Sequence, residues 1–145
     1  MTTIQLTEVS ARNAGDAREW AICDALGVKR DKHDASRYDK ASDVSAHGMN
    51  ISVKSSKFSL MSGSLCEGRE DFDGIWELYA SRTHSDTFAY VTQDWVAYMM
   101  NLDEFKRFVY TFCIISHESQ KNGGYAKIAC RKESKKMLRW LEEAI

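Results

Sequence analysis

The sequence predicts an α/β (α+β) fold in which a central mixed β-sheet is flanked by helices. Three observations lead there. Apolar residues recur at helical spacing in four windows, and they alternate with polar residues in short segments between those windows. Helices therefore precede, interrupt and follow a run of strands. No internal repeat, low-complexity tract or Gly/Ser linker divides the chain, so residues 1–145 are expected to form a single domain.

The first helix is expected over 14–26, capped by Asn13 or Asp16 and ended by Gly27, with Ala17, Trp20 and Cys23 as its apolar stripe. A polar stretch from Lys29 to Lys40 leads to two short segments, 42–46 and 49–54, joined by His47-Gly48. This is a hairpin pattern. Its second strand turns Met49, Ile51 and Val53 to one face and Asn50, Ser52 and Lys54 to the other. A Ser/Gly-rich loop at 59–68 precedes a helix over 70–82 that carries Phe72, Ile75, Trp76 and Tyr79. Strands at 87–92 and 95–100 pair about Gln93-Asp94, and Asn101 opens a helix to residue 111 with Phe105, Phe108 and Val109 on its apolar face. The aromatic residues of both helices are core by period. Segment 112–117 has no decisive pattern. Asn122-Gly123-Gly124 marks a turn before a strand at 125–131, and a basic amphipathic helix over 133–142 packs Met137, Leu138, Trp140 and Leu141.

Composition narrows the function classes. The chain has 145 residues, 43% hydrophobic, no proline and a formal net charge of −1. Disorder is excluded at that hydrophobicity and charge, and the apolar runs are too short for a membrane span. The N-terminal Met-Thr-Thr-Ile-Gln-Leu-Thr-Glu has no basic region or apolar core, so an intracellular (cytoplasmic) protein is expected. Cys23, Cys66, Cys113 and Cys130 lie far apart in sequence, which suits reduced thiols and leaves no zinc pattern. His33, His47, His84 and His117 fall at no ligand spacing and are expected on the surface or in loops. Charge is uneven: residues 29–57 hold seven basic against four acidic side chains, 67–105 two against nine, and 106–136 eight against two. The two basic segments would form a polyanion-binding face if they met in space.

The polar face of the hairpin is the chemically informative place. Lys54 is rarely accommodated in a sheet centre without a partner, and Asp43 is its natural one. With Glu19 from the first helix, two carboxylates and an ammonium would surround one pocket. Carboxylates bind Mg²⁺, which takes its other ligands from water and phosphate, while a lysine orients the attacking water or stabilises the phosphate oxygens.

The order of these residues resembles the restriction-endonuclease-like nuclease superfamily, whose signature is PD, a variable gap and (D/E)-X-K. Glu19 on an initial helix, Asp43 at the start of a hairpin and Ser52-Val53-Lys54 on the next strand are similar to it in a divergent S-X-K form. The resemblance covers residues 14–131 as an order of elements and three or four residues as a motif. It implies an αβββαβ core and a Mg²⁺-dependent DNA endonuclease, with Mn²⁺ as the alternative ion, acting in restriction or in phage or mobile-element DNA processing. Asp43 would be the main metal ligand, Glu19 a secondary one, Lys54 the water-orienting cation and Ser52 a hydrogen-bonding replacement. Ser42 stands where the signature has its proline. The carboxylate absent at Ser52 is expected from the next helix, from Glu70 in preference to Glu67 or Glu77. A homodimer is expected because duplex cleavage needs two sites, with the apolar and acidic region 84–105 as its contact.

DNA would be held by Ser55, Ser56 and Lys57 after the motif lysine and by Arg37 and Lys40 in the polar loop, with Lys32, His33 and Tyr38 beside them. Lys127, Arg131, Lys132, Lys135 and Lys136 add a second basic ridge. Two other classes fit the same residues: a catalytically inactive DNA-binding protein with a nuclease-like fold, and a structural or protein-interaction domain.

Overall fold

A five-stranded sheet with a different hydrophobic cluster on each face organises the chain. The computed structural model describes residues 1–30, 43–60, 69, 71–117 and 126–144. In chain order the elements are β1 (Thr2–Gln5), α1 (Ala14–Leu26), β2 (Val44–Ala46), β3 (Met49–Ser55), β4 (Phe58–Leu60) and α2 (Phe72–Arg82). They continue as β5 (Thr87–Val91), β6 (Val96–Met100), α3 (Leu102–Phe112), β7 (Cys113–His117), β8 (Ala126–Cys130) and α4 (Lys135–Glu143). The larger sheet has the order β1-β6-β5-β3-β2, and a second, three-stranded sheet has the order β4-β8-β7. β3 and β5 run parallel through the α2 crossover, while every other neighbouring pair is antiparallel, so the sheet is mixed as the sequence predicts.

Local chemistry explains where the elements begin and end. Asn13 caps α1 through Asp16 N at 2.8 Å, and Gly27 closes it at φ 71°, where a side chain would be strained. His47 and Gly48 both adopt positive φ, 51° and 78°, as a two-residue hairpin turn with the right twist requires. His47 Nε2 also donates to the Leu26 carbonyl at 2.7 Å, fastening the turn to the end of α1. α3 opens on a reciprocal capping box, in which Asn101 accepts from Glu104 N and Glu104 accepts from Asn101 N.

Alternation along the strands divides the core. Ile51, Ala89, Val91, Ala97 and Met99 face α1, whose Ala21, Ile22 and Cys23 cover them. Phe88, Tyr90, Tyr98 and Met100 face the other way, under α2, α3, α4 and the small sheet. Phe105 is the hub of that second cluster, stacked on Phe88 with centroids 4.4 Å apart and planes within 4°.

The structure departs from the sequence reading at several places. β1 was not expected, because its segment offers only Ile4 to a core and joins the sheet as an edge. β4 starts at Phe58 and runs into the expected 59–68 loop, since Phe58 and Leu60 alternate into the aromatic cluster. Segment 112–117 contains β7, and the strands split into two sheets instead of one. α2 and α4 start two residues later than expected, after the caps Asp71 and Ser134. Trp20 is half-exposed and stacks beneath the Arg30 guanidinium, while Ala21 and Ile22 take the buried stripe of α1. Tyr110 is 69% exposed, unlike the other aromatic residues of its helix. Most apolar residues between 87 and 100 are buried within the chain itself, with Trp95 and Val96 partly exposed. The turn at Asn122-Gly123-Gly124 lies outside the described residues.

Truncating Phe105 to alanine removes the ring on which Phe88, Trp76 and Phe58 pack. Urea unfolding of Phe105→Ala is expected to show a loss of about 3–5 kcal/mol.

Candidate functional site

Ser52 and Lys54 lie on the aromatic face of the sheet, where period two places them two residues apart on β3. Parallel pairing sets Ser52 beside Phe88 and Lys54 beside Tyr90. A serine and a lysine thus occupy positions in a row otherwise built from phenylalanine, tyrosine and methionine. Ser52 is 9% exposed, and the Lys54 ammonium sits 5.9 Å from the centroid of Phe58, within cation–π range.

Asp43 is held at the mouth of the hairpin. Its amide donates to the Ile51 carbonyl at 3.0 Å, and its Oδ2 accepts from the Val53 amide at 2.8 Å. The carboxylate therefore replaces a backbone acceptor where the β2 ladder runs out, which fixes it between Ser52 and Lys54 along the partner strand. Asp43 and Lys54 form no direct ion pair, yet the charge of Asp43 acts on the ammonium. Burial pulls the Lys54 pKa below its ordinary value, and Asp43 partly opposes that fall.

Two residues that sequence reasoning assigned elsewhere join this row. Tyr79 of α2, expected only as core, brings its phenol to Ser52 and Thr83 within the field of Asp43. Its pKa is pushed up to about 12, by burial first, with the Thr83 hydroxyl opposing, Asp43 adding and Ser52 opposing. Glu133, expected as the first residue of the last helix, stands before the Ser134 cap and is free to turn inward. It accepts from the Tyr90 hydroxyl at 3.2 Å and from the Gln93 amide at 3.2 Å and 3.3 Å. Burial first, then the Glu133 charge, drives the Tyr90 pKa upward. The signal in the sequence was the Ser134-x-x-Met137 cap, which leaves Glu133 outside the helix.

The remaining candidates divide by location. Glu19 is carried by α1, which packs on the opposite face of the sheet, and it is half-buried. Glu77 is exposed on α2. Glu70, Glu67, Arg37 and Lys40 lie outside the described residues, as do Lys32, His33 and Tyr38. Ser55 alternates to the α1 side beside Val91, while Ser56, at φ 51°, and Lys57 form the exposed turn into β4. Among the described residues no group of three His, Cys, Asp or Glu side chains is arranged to hold a metal. Asp43 alone offers the row a carboxylate whose second oxygen makes no hydrogen bond to a described residue.

β4 pairs with β8 so that Phe58 stands opposite Cys130. Lys57, just before β4, and Arg131, just after β8, are both exposed. Lys132, Lys135 and Lys136 continue the exposed positive surface into α4. Comparison with protein-family models, with curated proteins and with solved structures gives no match.

The depressed pKa of Lys54 has a thermodynamic consequence. Below its ordinary value of 10.5 the unfolded chain keeps the proton that the folded chain gives up more readily. The unfolded state then binds more protons, so this group makes stability rise with pH across that alkaline window. Lys54→Met keeps the stem without the charge. It is expected to be more stable than wild type at pH 7 in urea unfolding, with an advantage that shrinks as pH approaches 10.5. A variant less stable than wild type at pH 7 would show that the ammonium is not held at a cost.

Proposed function

We propose that the protein is a Mg²⁺-dependent DNA endonuclease of the restriction-endonuclease-like kind. The observation that carries this is the convergence of Asp43, Ser52 and Lys54 on the β2–β3 hairpin. The order α1, β2, β3, β4, α2, β5 supports it, since it repeats the αβββαβ sequence of elements, although β4 leaves for the second sheet. Lys57, exposed three residues after the motif lysine, and the exposed Arg131 suit the phosphates of a bound backbone.

The donor set fits one weakly chelated hard ion. Mg²⁺ takes one or two protein carboxylates and completes its shell with water and substrate phosphate. Asp43 would hold it through the oxygen that the Val53 amide leaves unused, and the ion would supply charge neutralisation and an acidified water. Lys54 places a partly desolvated ammonium beside that carboxylate, where its attraction for phosphate oxygens exceeds its value in bulk water. The Tyr79 phenol stays protonated up to about 12, so at neutral pH it donates a hydrogen bond and is not a base. Ser52 offers a second neutral hydroxyl. The enzyme would work inside the cell as a homodimer, one site for each strand, in restriction or in phage or mobile-element DNA processing.

A second reading has its own support. Ser52 replaces a carboxylate of the signature, and Glu133, the other carboxylate at the row, is engaged by the Tyr90 hydroxyl and the Gln93 amide. A catalytically inactive DNA-binding protein would keep Lys57, Arg131 and the α4 lysines without the metal chemistry.

Supercoiled plasmid incubated with Mg²⁺ or Mn²⁺ is expected to be nicked, and Asp43→Asn and Lys54→Ala should each slow nicking by about 100-fold or more. Unchanged nicking in both variants would overturn the site. No nicking in either metal, with DNA binding that weakens steeply with salt, would favour the inactive protein.

A further inference from the structure

Cys113 on β7 and Cys130 on β8 stand directly opposite each other in the antiparallel ladder of the three-stranded sheet. The sequence hid this pair, because its members belong to separate strands and share no short spacing. Both are free thiols, Cys113 half-buried and Cys130 buried. They hydrogen-bond to each other, which pushes the Cys113 thiol up and pulls Cys130 down in pKa, so a thiolate on Cys130 is held by the neighbouring S–H. Directly opposed residues keep their Cβ atoms about 4.5–5.5 Å apart. A disulfide needs about 3.5–4.5 Å, a range that adjoins it. Cys23, by contrast, is buried in the α1 cluster on the far side of the large sheet.

We propose that Cys113 and Cys130 are a redox-active dithiol that a small-molecule disulfide of the glutathione type oxidises to a reversible cross-strand disulfide. One sulfur of the pair, as thiolate, attacks the disulfide RSSR, breaking its S–S bond and releasing RS⁻, which takes up the proton the pair gave away. The second sulfur then attacks the mixed disulfide, forms the Cys113–Cys130 bond and releases a second RSH. The two protein thiols lose two hydrogens and two electrons, and RSSR is reduced to two RSH. Half-exposure of Cys113 supplies the entrance. The bridge would tie β7 to β8 where Cys130 also faces Phe58 of β4 and both sulfurs lie near the Tyr90 phenol.

This inference is independent of the nuclease proposal and is tested on the full chain. The folded protein is incubated with oxidised glutathione, alkylated under denaturing conditions and digested for mass spectrometry. The expected result is a loss of two mass units with a cross-link joining the peptides of Cys113 and Cys130, reversed by dithiothreitol. In folded Cys113→Ser or Cys130→Ser protein the cross-link should vanish and a glutathione adduct remain on the surviving partner. Glutathione attached only at Cys66 or Cys23, or cross-links that do not join residues 113 and 130, would overturn the proposal. So would both thiols alkylating fully after prolonged exposure to oxidised glutathione.

Discussion

The structure depends on β3, a strand that must satisfy a different core on each side. Ile51 and Val53 feed the cluster covered by α1, while Ser52 and Lys54 point into the cluster of phenylalanine and tyrosine under α2, α3 and the small sheet. A strand with two buried faces normally reads as a continuous apolar run. Here every second position is polar, and the aromatic side must accommodate a hydroxyl and an ammonium. Desolvating an ammonium opposes folding unless compensating charge or ring contacts lie near. Asp43 and the Phe58 face are the groups that the fold brings to the ammonium, while Tyr79 brings its phenol to the hydroxyl of Ser52.

The rest of the architecture can be seen as holding those groups in place. The His47-Gly48 turn sets the hairpin register, and the register delivers Asp43 to the Val53 amide. The α2 crossover makes β5 parallel to β3 and at the same time carries Tyr79 over Ser52. β4 pairs with β8, and its Phe58 ring lies under the Lys54 ammonium. Each of these elements stabilises the fold through its own apolar residues. The polar row they surround includes a desolvated ammonium, which opposes folding.

Much of this was legible in the chain. α1, the hairpin, the β5–β6 pair and the three later helices follow from period, caps and turn residues acting over short distances. The side of β3 that carries Ser52 and Lys54 follows from alternation alone. What could not be read depends on pairings between distant segments. β1 offers too little apolar surface to announce itself, and β7 has no alternation to distinguish it from the end of α3. Glu133 enters the row only because a capping serine follows it, and Tyr79 looks like any other core aromatic until Ser52 is placed beneath it. Glu19 illustrates the converse: its position on the first helix fits the motif order, yet α1 covers the other face of the sheet.

The most direct test of the account is the protonation of Lys54 itself. Its side-chain Nζ and Cε signals, followed by NMR as a function of pH in wild type and in Asp43→Asn, report the ammonium and the carboxylate's hold on it. The account predicts a midpoint below the ordinary 10.5 in wild type and a further fall when the Asp43 charge is removed. A midpoint at 10.5 or above that does not move in Asp43→Asn would contradict it, because the ammonium would then be neither desolvated nor coupled to the carboxylate.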